Sequence, residues 1–376
     1  MNKVYITGFS SLSSLGIGNE ESASSLAEER PKIFFPDTKD KINKPYCTVN
    51  IKDSDKWTRC AVFTLELLKQ IELFWIKYDK IPIFYSTSTG GIKETETIYT
   101  KLIKNSLKYP LLRQNFFYDV FEAIKSVYKD KIIGGYTFST ACSSAGHTLL
   151  HAYDLIKFGV IKRALIVGTD ALSITTSIGF DSLKLISPDG TKPLTMERDG
   201  LTLGEGGGIL FLETEPGSEP VAEVLGVYSN TDGYHLTAPH PEGLMQKECM
   251  EKAIEIANIP KNEIDYISAH GTGTPLNDEV EMKVIKSVFE NPVTVSSLKS
   301  FIGHTLGSSA LTEIAILLSS LKMNKIYQPN NMGTPMDENY IPKTTIDKKV
   351  NCFLKNAFGF GGNNVCAVIK MMRNKE

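Results

Sequence analysis

The sequence has few of the features that announce the commoner chemistries. Its six cysteines (47, 60, 142, 249, 352 and 366) are scattered and form no CxxC pair. That spread argues against a disulfide framework or a zinc site, and for a reducing compartment. Neither a GxGxxG dinucleotide loop nor a P-loop occurs: residues 204–209 and 359–362 are glycine-rich without the required spacing, so nucleotide binding is unsupported. No GxSxG elbow is present, and His147 and His151 lack the glutamate of the zinc-protease motif, so they read as helix packing. Charge of one sign is also missing, since 41 basic residues face 43 acidic ones for a formal net of −2. There is no electrostatic case for nucleic acid or an anionic membrane, and no run of about 18 apolar residues to span a bilayer. The opening residues 1–8 pass straight into a strand-like run, without the apolar stretch and cleavage site of a secretory leader. The expectation is a soluble, cytoplasmic protein without nucleic-acid partners, membrane insertion or a bound metal.

What is present is an ordinary globular composition, 376 residues with 41% hydrophobic and 22% charged, long enough for two domains or one fold in two halves. Short strand-like runs at 4–6, 81–85, 136–140, 164–168 and 209–213 alternate with helical patterns at 59–78 and 143–158. The polar stretch 31–56 reads as a surface excursion. A second set follows: strands at 221–227, 266–268, 293–296 and 365–370, with helices at 246–258, 280–289 and 307–323. This alternation predicts an α/β layered fold with buried sheets. The sets correspond, with strand–loop–Cys142–helix in one matching strand–Lys299–loop–His304–helix in the other. A glycine-rich turn followed by an apolar strand closes each. We therefore expect an internal duplication, divided as 1–215 and 216–376, whose halves share one core.

Four segments could carry chemistry. In Thr140-Ala141-Cys142-Ser143-Ser144 a cysteine lies between a strand end and a helix start, where free N–H groups and the helix dipole favour a thiolate. A merely packed thiol is the alternative. His270, at a strand end before a Gly/Thr turn (Ala269 to Pro275), either projects into a cleft or braces the turn. Lys299 and His304 flank another glycine-containing turn, and the apolar helix beyond carries Glu313, a charge that needs a partner if buried; a solvent-facing pair is the alternative. Residues 358–364, Phe-Gly-Phe-Gly-Gly-Asn-Asn, could bring backbone N–H groups close to a ligand oxygen.

Taken together, in this order and at these separations, the four segments resemble β-ketoacyl-acyl-carrier-protein synthases, the ketosynthases of fatty acid and polyketide pathways. The segment from Met196 to Gly206 is similar to that family's Arg-Asp-Gly region. The resemblance covers nearly the whole chain and implies a thiolase-like fold: two pseudo-duplicated α/β halves in a layered αβαβα core. It implies an acyltransferase joining an acyl chain held on Cys142 to malonyl-acyl carrier protein, with loss of carbon dioxide. His270 and His304 match the histidines that bind the extender thioester carbonyl, and Lys299 matches the active-site lysine held by Glu313. Asp278 and Glu281 match supporting acidic residues. The N–H groups of Cys142 and Phe360 match the oxyanion hole, and Phe360 also matches the gate. No resident cofactor is implied, because the phosphopantetheine arm arrives on the carrier protein, and a homodimer or a heterodimer with a ketosynthase-like subunit is expected.

The chain departs from the family pattern in places. Residues 19–81 are shorter than usual, Asn277 and Ala145 replace common glycines, and the opening turn 13–16 lacks a proline. These changes bear on chain length and partner, as do Phe116, Phe117 and the loop near Ile178. The same resemblance allows a non-elongating chain-length subunit, or an acyltransferase or decarboxylase of the same fold. A thiolase is disfavoured because Cys352 and Cys366 are not in a Cys-x-Gly turn.

Overall fold

The computed structural model describes residues 1–36, 42–104, 119–330 and 332–372. Nine strands dominate it: β1 (Tyr5–Ser13), β2 (Ile81–Ser86), β3 (Arg163–Asp170), β4 (Gly206–Glu213), β5 (Ala222–Thr231), β6 (Tyr266–Ser268), β7 (Thr294–Ser296), β8 (Cys352–Gly359) and β9 (Asn363–Met371). The main helices are α1 (Arg59–Gln70), α2 (Ser144–Lys157), α3 (Leu244–Ala257), α4 (Pro275–Val288) and α5 (Ser309–Lys322).

From one edge the strands run β7, β6, β8, β9, β5, β1, β4, β3, β2, with Ile132–Ile133 beyond. The duplication is plain in this order. Outward from β1 come β4 and β3, each antiparallel to the strand before it, then β2 and Ile132–Ile133, each parallel. Outward from β5 come β9 and β8, again antiparallel, then β6 and β7, again parallel. Among the described residues the strands of the two halves pair at Tyr5↔Glu223 and Ile6↔Ala222, with isolated bridges at Leu203↔His304 and Thr195↔Pro335. Most of the union is therefore made by side chains. Helices α2 and α5 lie between the halves and touch strands of both, while α1 covers the first half and α3 the second. This is the expected five-layer αβαβα arrangement.

Burial explains the sequence patterns. Strands β3 and β4 are covered on both faces and so read as continuous apolar runs rather than as alternation. Helix α5 is buried from Ser309 to Leu318 with no solvent face, which fits a central-layer helix.

Several sequence expectations need correction. The helix expected over 59–78 breaks at Ile71 (φ −113°) and resumes only as Glu72–Trp75. This break lets the fully buried Trp75 donate its indole N–H to the Leu68 carbonyl. The strand expected over 4–6 runs on to Ser13 through an irregularity at Gly8, where a Cβ would come within 2.9 Å of the Phe74 ring. The strand expected at 136–140 shrinks to Thr137–Phe138. The 31–56 segment is no simple surface excursion. Tyr46–Cys47 pairs with Leu203–Gly204, and Arg59, only 6% exposed, clamps Glu205 through Nε and Nη2 at 2.9 and 2.6 Å. The same guanidinium holds the Val49 and Ile51 carbonyls, so a buried ion pair anchors the excursion.

At Gly208 of β4 a Cβ would lie 2.3–2.4 Å from the backbone of Leu311 and Thr312, because α5 rests directly on the strand. Gly208→Ala must push the central helix away. We expect it to cost about 1–3 kcal/mol in urea unfolding, and an unchanged midpoint would show that α5 is free to shift.

Candidate active site

The turn before α2 is built around Ala141, whose φ of +52° is unusual for an L-residue. Ser144 secures it by accepting the Thr140 N–H (2.8 Å) and donating to the Ala141 carbonyl (2.6 Å). The turn sets Cys142 on the wall of a cavity of about 310 Å³ that is also lined by His270, His304, Phe358, Phe360 and Thr272. Strained turns that persist under this much support cluster at functional sites. Burial pushes the Cys142 thiol up to about 11, against the Lys299 charge and the Phe360 backbone N–H, which pull it down. The thiolate expected from the helix N-terminus is therefore not the resting form. Desolvation outweighs the dipole here.

The histidines come from the second half. His304 is buried, and its Nδ1 accepts the Leu306 N–H at 3.2 Å and lies 2.9 Å from the Ser309 hydroxyl. A backbone N–H can only donate, so the neutral ring must carry its proton on Nε2. His270 packs edge-on to His304 with ring centroids 5.4 Å apart. Its backbone is fixed by Glu281, which accepts the His270 and Gly271 N–H groups at 2.7 and 2.8 Å. Asp278 does the same one turn earlier on α4, taking the N–H groups of Thr272, Gly273 and Leu194. Both imidazoles are held well below the usual histidine value, first by burial and next by the Lys299 charge.

Lys299 and Glu313 are not solvent-facing. They form a buried ion pair at 2.6 Å, with 1% and 0% of the side chains exposed. They lie behind the cavity rather than on its wall. Glu313 has a second partner that sequence reasoning missed, Lys355, whose Nζ is 2.5 Å from Oε2. Burial opposes the Glu313 charge, but the two lysines outweigh it and hold the carboxyl below its ordinary range. The signal for Lys355 was available, since it is the lone charge in the buried interior strand β8.

Asp170 was also missed. Its buried carboxylate accepts from Thr87, Ser88, Thr89 and the Ser308 N–H, tying the loop after β2 to the start of α5.

Phe360 is the residue for which a gate role is expected. It lines the cavity and stacks on Phe180, with centroids 5.6 Å apart and planes 19° from parallel. The loop expected near Ile178 is the helix Ile174–Ser182. Ile178 is exposed, and Phe180 rather than Ile178 reaches the cavity. Phe116 and Phe117 lie outside the described residues. Among the described residues no group of three or more His, Cys, Asp or Glu is placed to hold a metal ion.

Fold and site together define a thiolase-fold condensing enzyme type. The β-ketoacyl synthase N-terminal domain matches residues 134–216 and the C-terminal domain matches 221–332. The chain is 30% identical to 3-oxoacyl-(acyl-carrier-protein) synthase 2 of Staphylococcus aureus, over 84% of each chain. It is 29% identical to 3-oxoacyl-(acyl-carrier-protein) synthase 1 of Buchnera aphidicola, over 98% of this chain and 100% of that one. A chain of the ketosynthase (ApeO)–chain length factor (ApeC) complex of Xenorhabdus doucetiae superposes with a TM-score of 0.89 and 26% identity, covering 99% and 98% of the two chains. The chain belongs to the β-ketoacyl synthase family.

The depressed histidines give a stability prediction. In the unfolded chain these rings take up protons near pH 6.5, whereas folded His270 and His304 refuse them until lower pH. Their contribution is complete above about 6.5 and is lost as pH falls toward the folded values. The raised carboxyls of Asp170, Asp278 and Glu281 act in the opposite sense. The readout is therefore the wild type minus His270→Asn/His304→Asn. That difference in unfolding free energy should shrink on going from pH 7 to pH 5. A difference independent of pH would mean that the rings are not held neutral.

Proposed function

We propose that the protein elongates acyl chains carried on an acyl carrier protein by decarboxylative Claisen condensation, in fatty acid or polyene/polyketide synthesis. The observation that carries this reading is the cavity on which one thiol and two neutral imidazoles converge. Cys142 attacks the acyl thioester and expels the carrier's thiol, while the N–H groups of Cys142 and Phe360 accommodate the oxyanion. Malonyl-carrier then enters the same cavity. As its C–C bond to the carboxylate breaks and carbon dioxide leaves, the electron pair moves onto the thioester oxygen. The Nε2–H of His304, with His270 beside it, stabilises that enolate, a charge that exists only after the ground state is left. The enolate carbon attacks the acyl-Cys142 carbonyl, the Cys142 sulfur departs and takes up a proton, and β-ketoacyl-carrier is released. Only the chain's own groups act, and the carrier's phosphopantetheine arm brings both substrates, so no resident cofactor is part of this reading.

The superposition on a chain of a ketosynthase–chain length factor complex supports pairing with a second copy or with a ketosynthase-like subunit. Retention of Cys142 with both histidines favours a catalytic role over the non-elongating one. Six free, buried cysteines support a cytoplasmic location, and among the described residues no helix is long and apolar enough to cross a membrane.

The test is intact-mass spectrometry of wild type and Cys142→Ala after incubation with a panel of acyl-loaded carrier proteins, followed by malonyl-carrier. Wild type alone should gain the acyl mass and then discharge it as β-ketoacyl-carrier. His304→Ala should still acylate but release carbon dioxide about 10²–10³-fold more slowly. Acylation of Cys142→Ala, or of neither protein by any donor, alone or with a candidate partner, would defeat the reading.

A further inference from the structure

Behind the cavity lies one more positive charge than the Lys299–Glu313 pair requires. Strand side chains alternate in direction. In β8, Phe353 and Ala357 belong to the core around α5, whereas Cys352, Leu354 and Phe358 belong to the outer core around α3 and α4. Lys355 follows the first set and points at α5. It is 2% exposed. Its Nζ meets Glu313 Oε2 at 2.5 Å and the Ala269 carbonyl at 3.3 Å. Ala269 is the residue before His270, and β8 itself leads directly into Phe360. One ammonium thus touches the carboxylate that holds Lys299 and the backbone that carries His270, and it rides on the strand that carries the gate.

We propose that Lys355 is a positioning residue for the condensation. By bridging Glu313 to the Ala269 carbonyl it holds the Lys299 pair and the His270 loop in one frame, and it supplies a second positive charge behind both imidazoles. This inference rests on the ketosynthase reading of the same cavity.

The surrounding charges leave that role open to Lys355. Lys299 and Lys355 share the single carboxylate of Glu313. Glu281, from α4, is bonded to the His270 and Gly271 N–H groups and to Asn356. Asp278 is taken up by backbone N–H groups and Asn277. Asp170 faces the opposite loop, and Cys142 is held as the thiol. Lys355 is among the charges that keep protons off both rings, after burial and Lys299. A lysine that only neutralised Glu313 would be dispensable to the rings, because Lys299 already pairs with that carboxylate.

Two variants separate geometry from charge. Lys355→Gln retains an N–H₂ that can reach Glu313 and Ala269 but has no charge, and Lys355→Met loses both functions. The chain has six histidines, so ¹⁵N-histidine NMR of the full-length protein can follow each ring through a pH titration without relying on activity. In Lys355→Gln we expect His270 and His304 to protonate at higher pH than in wild type, by about half a unit or more. The other histidines should not move. The acid limb of the condensation pH profile should shift the same way. In Lys355→Met, kcat should fall further, about tenfold, with KM for acyl-carrier changed less than twofold and Cys142 still acylated. Unmoved ring titrations in a folded variant would overturn the proposal. Failure of both variants to fold would overturn it too, by making Lys355 a structural counter-ion. A wild type that titrates as expected but condenses nothing would instead defeat the ketosynthase reading and leave the electrostatic part standing.

Discussion

Glu313 lies on a helix with no face toward water, where a carboxylate needs a partner, and two ammonium groups reach it. An isolated charge in such a place costs far more than a domain's net stability. Lys299, from the turn after β7, and Lys355, from the middle of β8, must therefore be in register with α5 whenever the chain is folded. Removing one member of a buried pair typically costs about 3–5 kcal/mol. The triad therefore acts as a lock on relative position, fastening the central helix to two strands of the second half. Its lysines also stand behind the His270 and His304 rings, where after burial they help keep protons off the imidazoles.

The duplication explains why the site lies where it does. Each half ends its second strand in a loop facing the central layer, at Thr87–Thr89 in the first and at His270–Thr272 in the second. Each loop is pinned by a buried carboxylate, Asp170 or Glu281. The central helices start at the same end of the sandwich, so the turn before α2 and the turn before α5 bring Cys142 and His304 to one cavity from opposite halves. The thiol belongs to one half and the two imidazoles to the other. The thiol and the imidazoles therefore meet only when both halves are docked, and α2 and α5, which touch strands of both, supply the buried area that the two-residue pairing of β1 with β5 does not.

Much of this was legible in the residues. Alternating strand and helix patterns gave the layers, and the repeated glycine turn before an apolar strand gave the duplication. The short motifs around Cys142, His270, Lys299, His304 and Phe360 gave the constellation. Features set by three-dimensional packing were not legible. Ile71 belongs to the helical periodicity yet ends α1, because burying Trp75 requires a break there. The polar residues around 46–53 resemble a loop but are held by Arg59, a side chain whose partner Glu205 is 146 positions away. Lys355 sits immediately before a motif that draws attention to its glycines, and only the alternation along β8 shows that it faces Glu313.

The thiol illustrates how local and global effects compete. Position at a helix start argues for an acidic cysteine, and that argument holds for exposed turns. Here the sulfur is enclosed, and desolvation wins over both the helix end and Lys299. The thiol is therefore favoured over the thiolate in the buried cavity, in spite of the helix end and the Lys299 charge. Phe360 lines the same cavity and stacks its ring on Phe180. Phe360 also directly follows the strand whose Lys355 is fixed to Glu313, so the turn that carries its ring leaves from a strand tied into the buried ion pair.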